Sequence, residues 1–159
     1  MARARALGFD LWGDLRQTDT YFDTPSGRMK LRETAGFPAE LVFYERDEHN
    51  ERRPSDYQLA AVPNGEGMKA LLAAALGVRA VVRKRRTLLL LDTTRMHLDT
   101  FVTSTRCDSG ETRELGSFLE FEVPVKDDHH SAAAERLVWL LDEFGLRWEE
   151  CIRQSYADL

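Results

Sequence analysis

Residues 81–101 read VVRKRRTLLLLDTTRMHLDTF, and the alternation within this stretch decides the fold. Four consecutive cations, Arg83, Lys84, Arg85 and Arg86, lead into a run of leucines. A polar step at Asp92–Thr93 follows, and then Arg95, His97 and Asp99 recur at every second position. Side chains two apart in an extended chain share a face, so the pattern predicts a strand on either side of a turn. Lys84 and Arg86 then lie on one face of the first arm, apart from Arg83 and Arg85. Arg95, His97 and Asp99 share one face of the second arm. So many aligned charges predict a surface that holds a charged ligand.

Working outward, the flanking segments alternate in the same way. Upstream, 2–7 predicts a short helix stopped at Gly8. Thr18–Phe22 suits a short strand and Asp23–Gly27 a turn. Arg28–Glu33 continues as a strand with Arg28, Lys30 and Arg32 opposite Met29 and Leu31. After breaks at Gly36 and Pro38, Glu40–Asp47 places Val42, Tyr44 and Arg46 opposite Leu41, Phe43 and Glu45. His49–Ser55 reads as a loop, Tyr57–Val62 as a strand, and Glu66–Leu76 as an Ala/Leu-rich helix closed by Gly77.

Downstream, 103–117 reads as a polar loop. Phe118–Val125 predicts a strand with Leu119, Phe121, Val123 and Val125 on one face and Glu120 and Glu122 on the other. Ser131 is the expected N-cap of a helix to about Phe144, striped with Ala133, Leu137, Leu140, Leu141 and Phe144. Strands outnumber helices, so the expected class is α+β, an antiparallel sheet whose apolar faces are covered by helices. If that sheet curls, its charged faces line the interior.

Composition narrows the partners. A chain of 159 residues is long enough for a single domain, 1–159, with a real core. Its net charge of −5 argues against general affinity for nucleic acid or anionic membranes, without excluding a local basic cluster. No apolar run approaches membrane-span length. Cys107 and Cys151 lack metal-type spacing and suit a reducing, cytoplasmic setting.

Taken strand by strand, the charged faces fit an ordinary half-exposed antiparallel sheet. Their segregation argues for more. Cations dominate 28–32 and 82–86, whereas the last strand carries only acids. A polyphosphate with its metal needs this division: Arg and Lys meet phosphate oxygens, and carboxylates meet Mg²⁺ or Mn²⁺. The candidate phosphate contacts are Lys30, Arg32, Arg46, Lys84, Arg86 and Arg95. The candidate metal ligands are Glu120, Glu122 and Asp99. His97 is as readily a packed histidine as a proton-transfer group. Cys107 has no paired base, and Gly65–Gly67 lacks the lysine and spacing of a phosphate-binding loop.

In order along the chain, QTDTYFDTPSGRMKLRE, YERD…RPSDY, VVRKRR…RMHLD and LGSFLEFEV together resemble the CYTH superfamily. The resemblance is narrowest to its class IV adenylyl cyclase-like branch. It implies an antiparallel β-barrel, a triphosphate tunnel with helices packed outside. It also implies chemistry on ATP, thiamine triphosphate or tripolyphosphate, supported by Mg²⁺ or Mn²⁺. On the matching motifs, Lys30, Arg32, Arg46, Lys84, Arg86 and Arg95 would contact phosphates and Glu120 and Glu122 would hold metal, with Asp99 a further acid. The family's opening strand, E-x-E-x-K, has no counterpart here, by truncation or by natural loss. The expected consequence is a gap in the barrel and an unpaired edge, which a second copy could fill as a homodimer. The alternative to a cyclase or triphosphatase is a non-catalytic polyphosphate or nucleotide binder.

Overall fold

A computed structural model describes residues 1–46, 55–125 and 130–159, without the side chains of Arg46 and Ser55. In chain order the elements are helix α1 (Ala2–Ala6), strands β1 (Asp10–Phe22), β2 (Arg28–Thr34), β3 (Ala39–Arg46) and β4 (Ser55–Val62), helix α2 (Gly65–Leu76), strands β5 (Val78–Leu91), β6 (Thr94–Arg106) and β7 (Thr112–Glu122), and helix α3 (His130–Phe144). A 3-10 turn, Trp148–Glu150, precedes the C-terminal segment. All seven strands pair antiparallel in the order β4-β3-β2-β1-β5-β6-β7.

The sheet curls. Strands β2 and β7 are four places apart, which in a flat sheet means roughly 19 Å. Arg32 on β2 nevertheless feels the charge of Glu120 on β7. The outer surface is covered in two patches. Helix α2 lays Met68, Leu72 and Leu76 over Phe22, Leu31 and Val62. Helices α1 and α3 bury Ala4 and Leu140 against Leu89 and Met96. Arg3 clamps the two helices through Glu143. A third cluster fills one end of the concave side, where Tyr21, Ala80, Val82 and Val102 close on Ala157. The protein is thus a barrel-like α+β fold with helices outside, the expected class.

Local chemistry sets the turns. Asn64 caps α2 by accepting from Gly67 N at 2.9 Å, and Gly77 ends it at φ 82°. Gly27 must be glycine, because an added Cβ would lie 2.7 Å from the Phe43 ring and φ is +64°. Asp92 takes the left-handed position (φ 53°) in the β5–β6 turn. A bulge between Asp99 and Val102 turns Phe101 outward, 78% exposed, so that Val102 and Ser104 resume the buried face.

Several boundaries differ from the sequence pattern. Strand β1 begins at Asp10, eight residues before the expected Thr18, because its first half is exposed and pairs only with β5. Exposure on both faces at 10–12 erases the alternation that marks a strand there, and a register shift between Leu11 and Gly13 breaks it further. The expected loop at 103–117 is instead the end of β6, a tight turn and the start of β7. Most of its residues are polar because they are exposed, with Ser104 the buried exception, and the ladder and a Thr105–Thr112 hydroxyl contact at 2.9 Å hold them. Strand β7 stops at Glu122, short of Val123–Val125, where Pro124 has no N–H to offer. Helix α3 is already running at His130, so Ser131 lies inside it and not at its cap. The expected loop His49–Ser55 lies almost wholly outside the described residues. No helix among the described residues is long and apolar enough to cross a membrane.

Candidate anion site on the concave face

The concave side gathers the charges that alternation placed on one face. Register explains how. Asp19 pairs with Arg32 and Val82, Gln17 with Thr34 and Lys84, and Arg86 with Asp99, and directly paired residues show the same face. Asp19, 1% exposed, accepts two bonds from Arg32 at 2.8 Å each and one from Lys30 at 3.0 Å. Asp99, fully buried, accepts a two-pronged Arg86 at 2.7 Å on each oxygen, and Lys84 Nζ lies 3.1 Å away. Lys84 stands between the two acids, 3.9 Å from Asp19. Four cations therefore surround two buried carboxylates. That local excess of positive charge sits inside a protein that is acidic overall.

Aromatic rings line the same cluster. Lys30 Nζ is 5.3 Å from the Tyr21 ring centre and 5.8 Å from that of Tyr44. Lys84 Nζ is 5.0 Å from the ring of Tyr156. The Tyr156 hydroxyl donates to Asp99 at 3.1 Å. Burial and the neighbouring Asp99 carboxylate raise the Tyr156 hydroxyl far above its usual range, so it stays a donor. Burial works against ionising Asp19, but Lys30 and Arg32 hold it well below the ordinary carboxylate range. Burial, reinforced by Arg86, lowers the Lys84 ammonium from 10.5 to about 8 against the pull of Asp19 and Asp99.

The remaining candidates lie toward the wall of β7. Glu120 accepts from Arg86 at 2.8 Å and contacts His97 Nδ1 at 3.1 Å. His97 is buried and its other nitrogen lies 3.9 Å from Glu122. Arg95 pairs with Glu122 at 3.0 Å with its side chain 46% exposed, at the rim and outside the buried cluster. The Arg46 side chain lies outside the described residues. Structure thus brings Lys30, Arg32, Lys84, Arg86, Asp99 and Glu120 together, and leaves Arg95 and Glu122 at the margin.

The three carboxylates proposed for metal do not converge. Asp99 is consumed by Arg86, Lys84 and Tyr156, and Glu120 and Glu122 each answer a cation and His97. Among the described residues no three metal-type donors form a site. Glu120 and Glu122 fit a hard cation only as a partial shell, the number of carboxylates Mg²⁺ takes when phosphates supply the rest.

Four participants were missed in the sequence. Asp19 and Gln17 belong to the buried face of β1, and their spacing from Tyr21 in Q-T-D-T-Y was the available signal. Tyr156 and Asp158 come from the closing segment. Asp158 pairs with Arg28 at 3.0 Å and Arg79 at 2.6 Å. No local pattern marks either, because the tail reaches the cluster only through the tertiary fold.

An antiparallel, helix-jacketed trough with a cationic concave face defines a class of protein in which strands present charge inward. The CYTH domain family matches residues 1–156, and this chain belongs to it. Among solved structures, the PH1012 protein of Pyrococcus horikoshii is similar with a TM-score of 0.83 at 20% identity, over 99% of this chain and 90% of its own. A conserved hypothetical protein of Pyrococcus furiosus follows with TM-score 0.81 at 16% identity, over 99% and 90%. A proposed adenylate cyclase from Vibrio parahaemolyticus has TM-score 0.75 at 17% identity, over 98% and 86%. At these identities the likeness is one of fold. No curated protein matches the chain.

Proposed function

We propose that this protein binds the triphosphate group of a small molecule (ATP, thiamine triphosphate or tripolyphosphate) on its concave face. One observation carries the reading: Lys30, Arg32, Lys84 and Arg86, the last two buried, are held together around Asp19, Asp99 and Glu120, three carboxylates that neutralise only part of their charge. Guanidinium forks match the geometry of phosphate oxygens, and surroundings of low dielectric strengthen each contact. Membership of the CYTH family supports the choice of ligand. Turnover on such a site, cyclisation of ATP or hydrolysis of the triphosphate, would proceed by positioning and charge stabilisation without a covalent intermediate. Mg²⁺ or Mn²⁺ would arrive with the anion and meet Glu120 and Glu122, where it would neutralise charge on the phosphates.

The engagement of every candidate carboxylate with a cation favours a second reading, a polyphosphate or nucleotide binder without turnover. Calorimetry with tripolyphosphate, with Mg²⁺ and with a chelator, tests both readings beside a turnover assay on ATP, thiamine triphosphate and tripolyphosphate. Binding lost in Lys84→Ala plus Arg86→Ala supports the site, and turnover separates enzyme from binder. A wild-type protein that binds none of the three anions overturns both.

A further inference from the structure

The helices leave part of the sheet's outer face uncovered, and three arginines stand there. On β5, Arg83 and Arg85 are exposed and alternate with Val82, Lys84 and Arg86, which are buried on the concave side. Arg83 and Arg85 therefore face outward. Arg85 pairs directly with the exposed Arg16 of β1, which alternates with the concave Gln17. Like charges placed directly opposite in a sheet destabilise it. Asp14 answers Arg85 at 3.1 Å, with side chains 49% and 56% exposed. Arg16 and Arg83 have no side-chain partner among the described residues.

Phe101 adds a ring to the same surface. It stands in the β6 bulge between the Arg85–Thr100 and Arg83–Thr103 pairs. Strand β6 lies inside the sheet, and Asp99, Val102 and Ser104 fill its concave side. A ring that is 78% exposed there must project from the outer face. Its φ of 53° is a conformation that a β-carbon disfavours. Opposed arginines and a strained, solvated aromatic ring both cost stability, and neither serves the buried cluster. Arginine beside an exposed aromatic ring is the composition of a contact surface.

A complementary surface lies on α3. The buried side of that helix meets Leu89 and Met96, so its other side faces outward as the arginines do. Leu89 is four residues from Arg85 along β5, roughly 13 Å. Ser131, Glu135, Val138 and Asp142 recur at helical spacing and, with Trp139, line a groove of about 370 Å³. Val138 is 40% exposed in it, with an acid on either side. The helix's arginine, Arg136, is turned to Thr94 and the Trp139 ring, which leaves Glu135 and Asp142 as the charges of the groove. We propose that two copies of this chain dimerise through these outer faces. Phe101 of each copy enters the α3 groove of the other, and Arg83 and Arg85 meet Glu135 and Asp142. Both halves of the contact lie on one side of the molecule, so a two-fold axis between them satisfies both at once and the assembly closes.

Sedimentation velocity over a concentration series, at low and at high salt, tests the assignment. Wild type is expected to dimerise with a Kd on the order of 10 μM or tighter, and more weakly at high salt. Phe101→Ser is expected to weaken the dimer at least about tenfold while circular dichroism stays that of wild type. Phe101→Gly, which also relieves the backbone, does the same. Arg83→Glu with Arg85→Glu yields a monomer. Adding Glu135→Arg and Asp142→Arg to that variant restores the dimer, which general damage to the fold could not do. A wild type that stays monomeric at about ten times that concentration overturns the proposal. So does a dimer indifferent to Phe101, which would point to pairing at the edge strands β4 or β7. A fourfold variant that folds and stays monomeric overturns it as well.

Discussion

Arg86–Asp99 and Arg106–Asp108 are both guanidinium–carboxylate pairs with an Nη2–Oδ2 distance of 2.7 Å. Their surroundings separate them. The side chains of the first are 7% and 1% exposed, and those of the second 49% and 62%. In the buried pair neither charge can turn to water if the other leaves, and Lys84, Tyr156 and Glu120 are locked to the same atoms. In the hairpin turn between β6 and β7, water replaces a lost partner at once. Distance is therefore a poor guide to what an ion pair does. Burial decides whether losing one partner strands the other charge.

Removing one carboxylate from each region breaks the comparison most sharply. Asp99→Ala is expected to cost about 3–5 kcal/mol, since it strands Arg86 and Lys84. Asp108→Ala is expected to cost less than about 1 kcal/mol. Urea unfolding of the two variants reads the difference, and equal losses would erase the distinction.

Ligand binding sharpens it from the other direction. Arg86→Lys keeps the charge and loses the fork, and tripolyphosphate affinity is expected to fall on the order of tenfold. Arg106→Lys at the hairpin should leave affinity unchanged. Isothermal titration at one fixed salt concentration compares them.

The pH dependence follows from Lys84. Its folded value of about 8 lies below the ordinary 10.5, so the folded state releases a proton earlier than the unfolded chain. Anion affinity is therefore expected to decline as pH rises through about 8. Stability of the free protein should rise between about 8 and 10.5, where the unfolded state holds more protons. Lys84→Met removes both slopes. Titration calorimetry and urea midpoints across that range check them, and parallel changes in affinity and stability would contradict the assignment.

Within the buried cluster the smallest expected effect is that of Tyr156→Phe, about 1 kcal/mol in urea unfolding for one hydrogen bond to Asp99. Because Lys84 also lies over that ring, the ring must be kept for the comparison to isolate the hydroxyl.

The alternation at 81–101 and 118–122 was legible because each of those strand segments divides a solvent or helix side from a charged concave side, and a period of two records that division. Lys84, Arg86, Asp99 and Glu120 were found from it. The first half of β1 and the turn between β6 and β7 were not, because residues exposed on both faces carry no such record. Arg95 shares a face with His97 and Asp99, yet it ends at the rim, since parity fixes the face and says nothing about depth along the strand.

By itself, the sequence determined most of the antiparallel strands, the helical cover and the excess of cations at 28–32 and 82–86, all of which are local or near-local properties. Only the tertiary structure decided which charges meet. The curl of the sheet brings Arg32 into the field of Glu120, and the C-terminal tail folds back to set Tyr156 on Asp99 and Asp158 on Arg28. Contacts between residues 57 and 130 positions apart leave no periodic trace, so their chemistry appears only when the chain closes on itself.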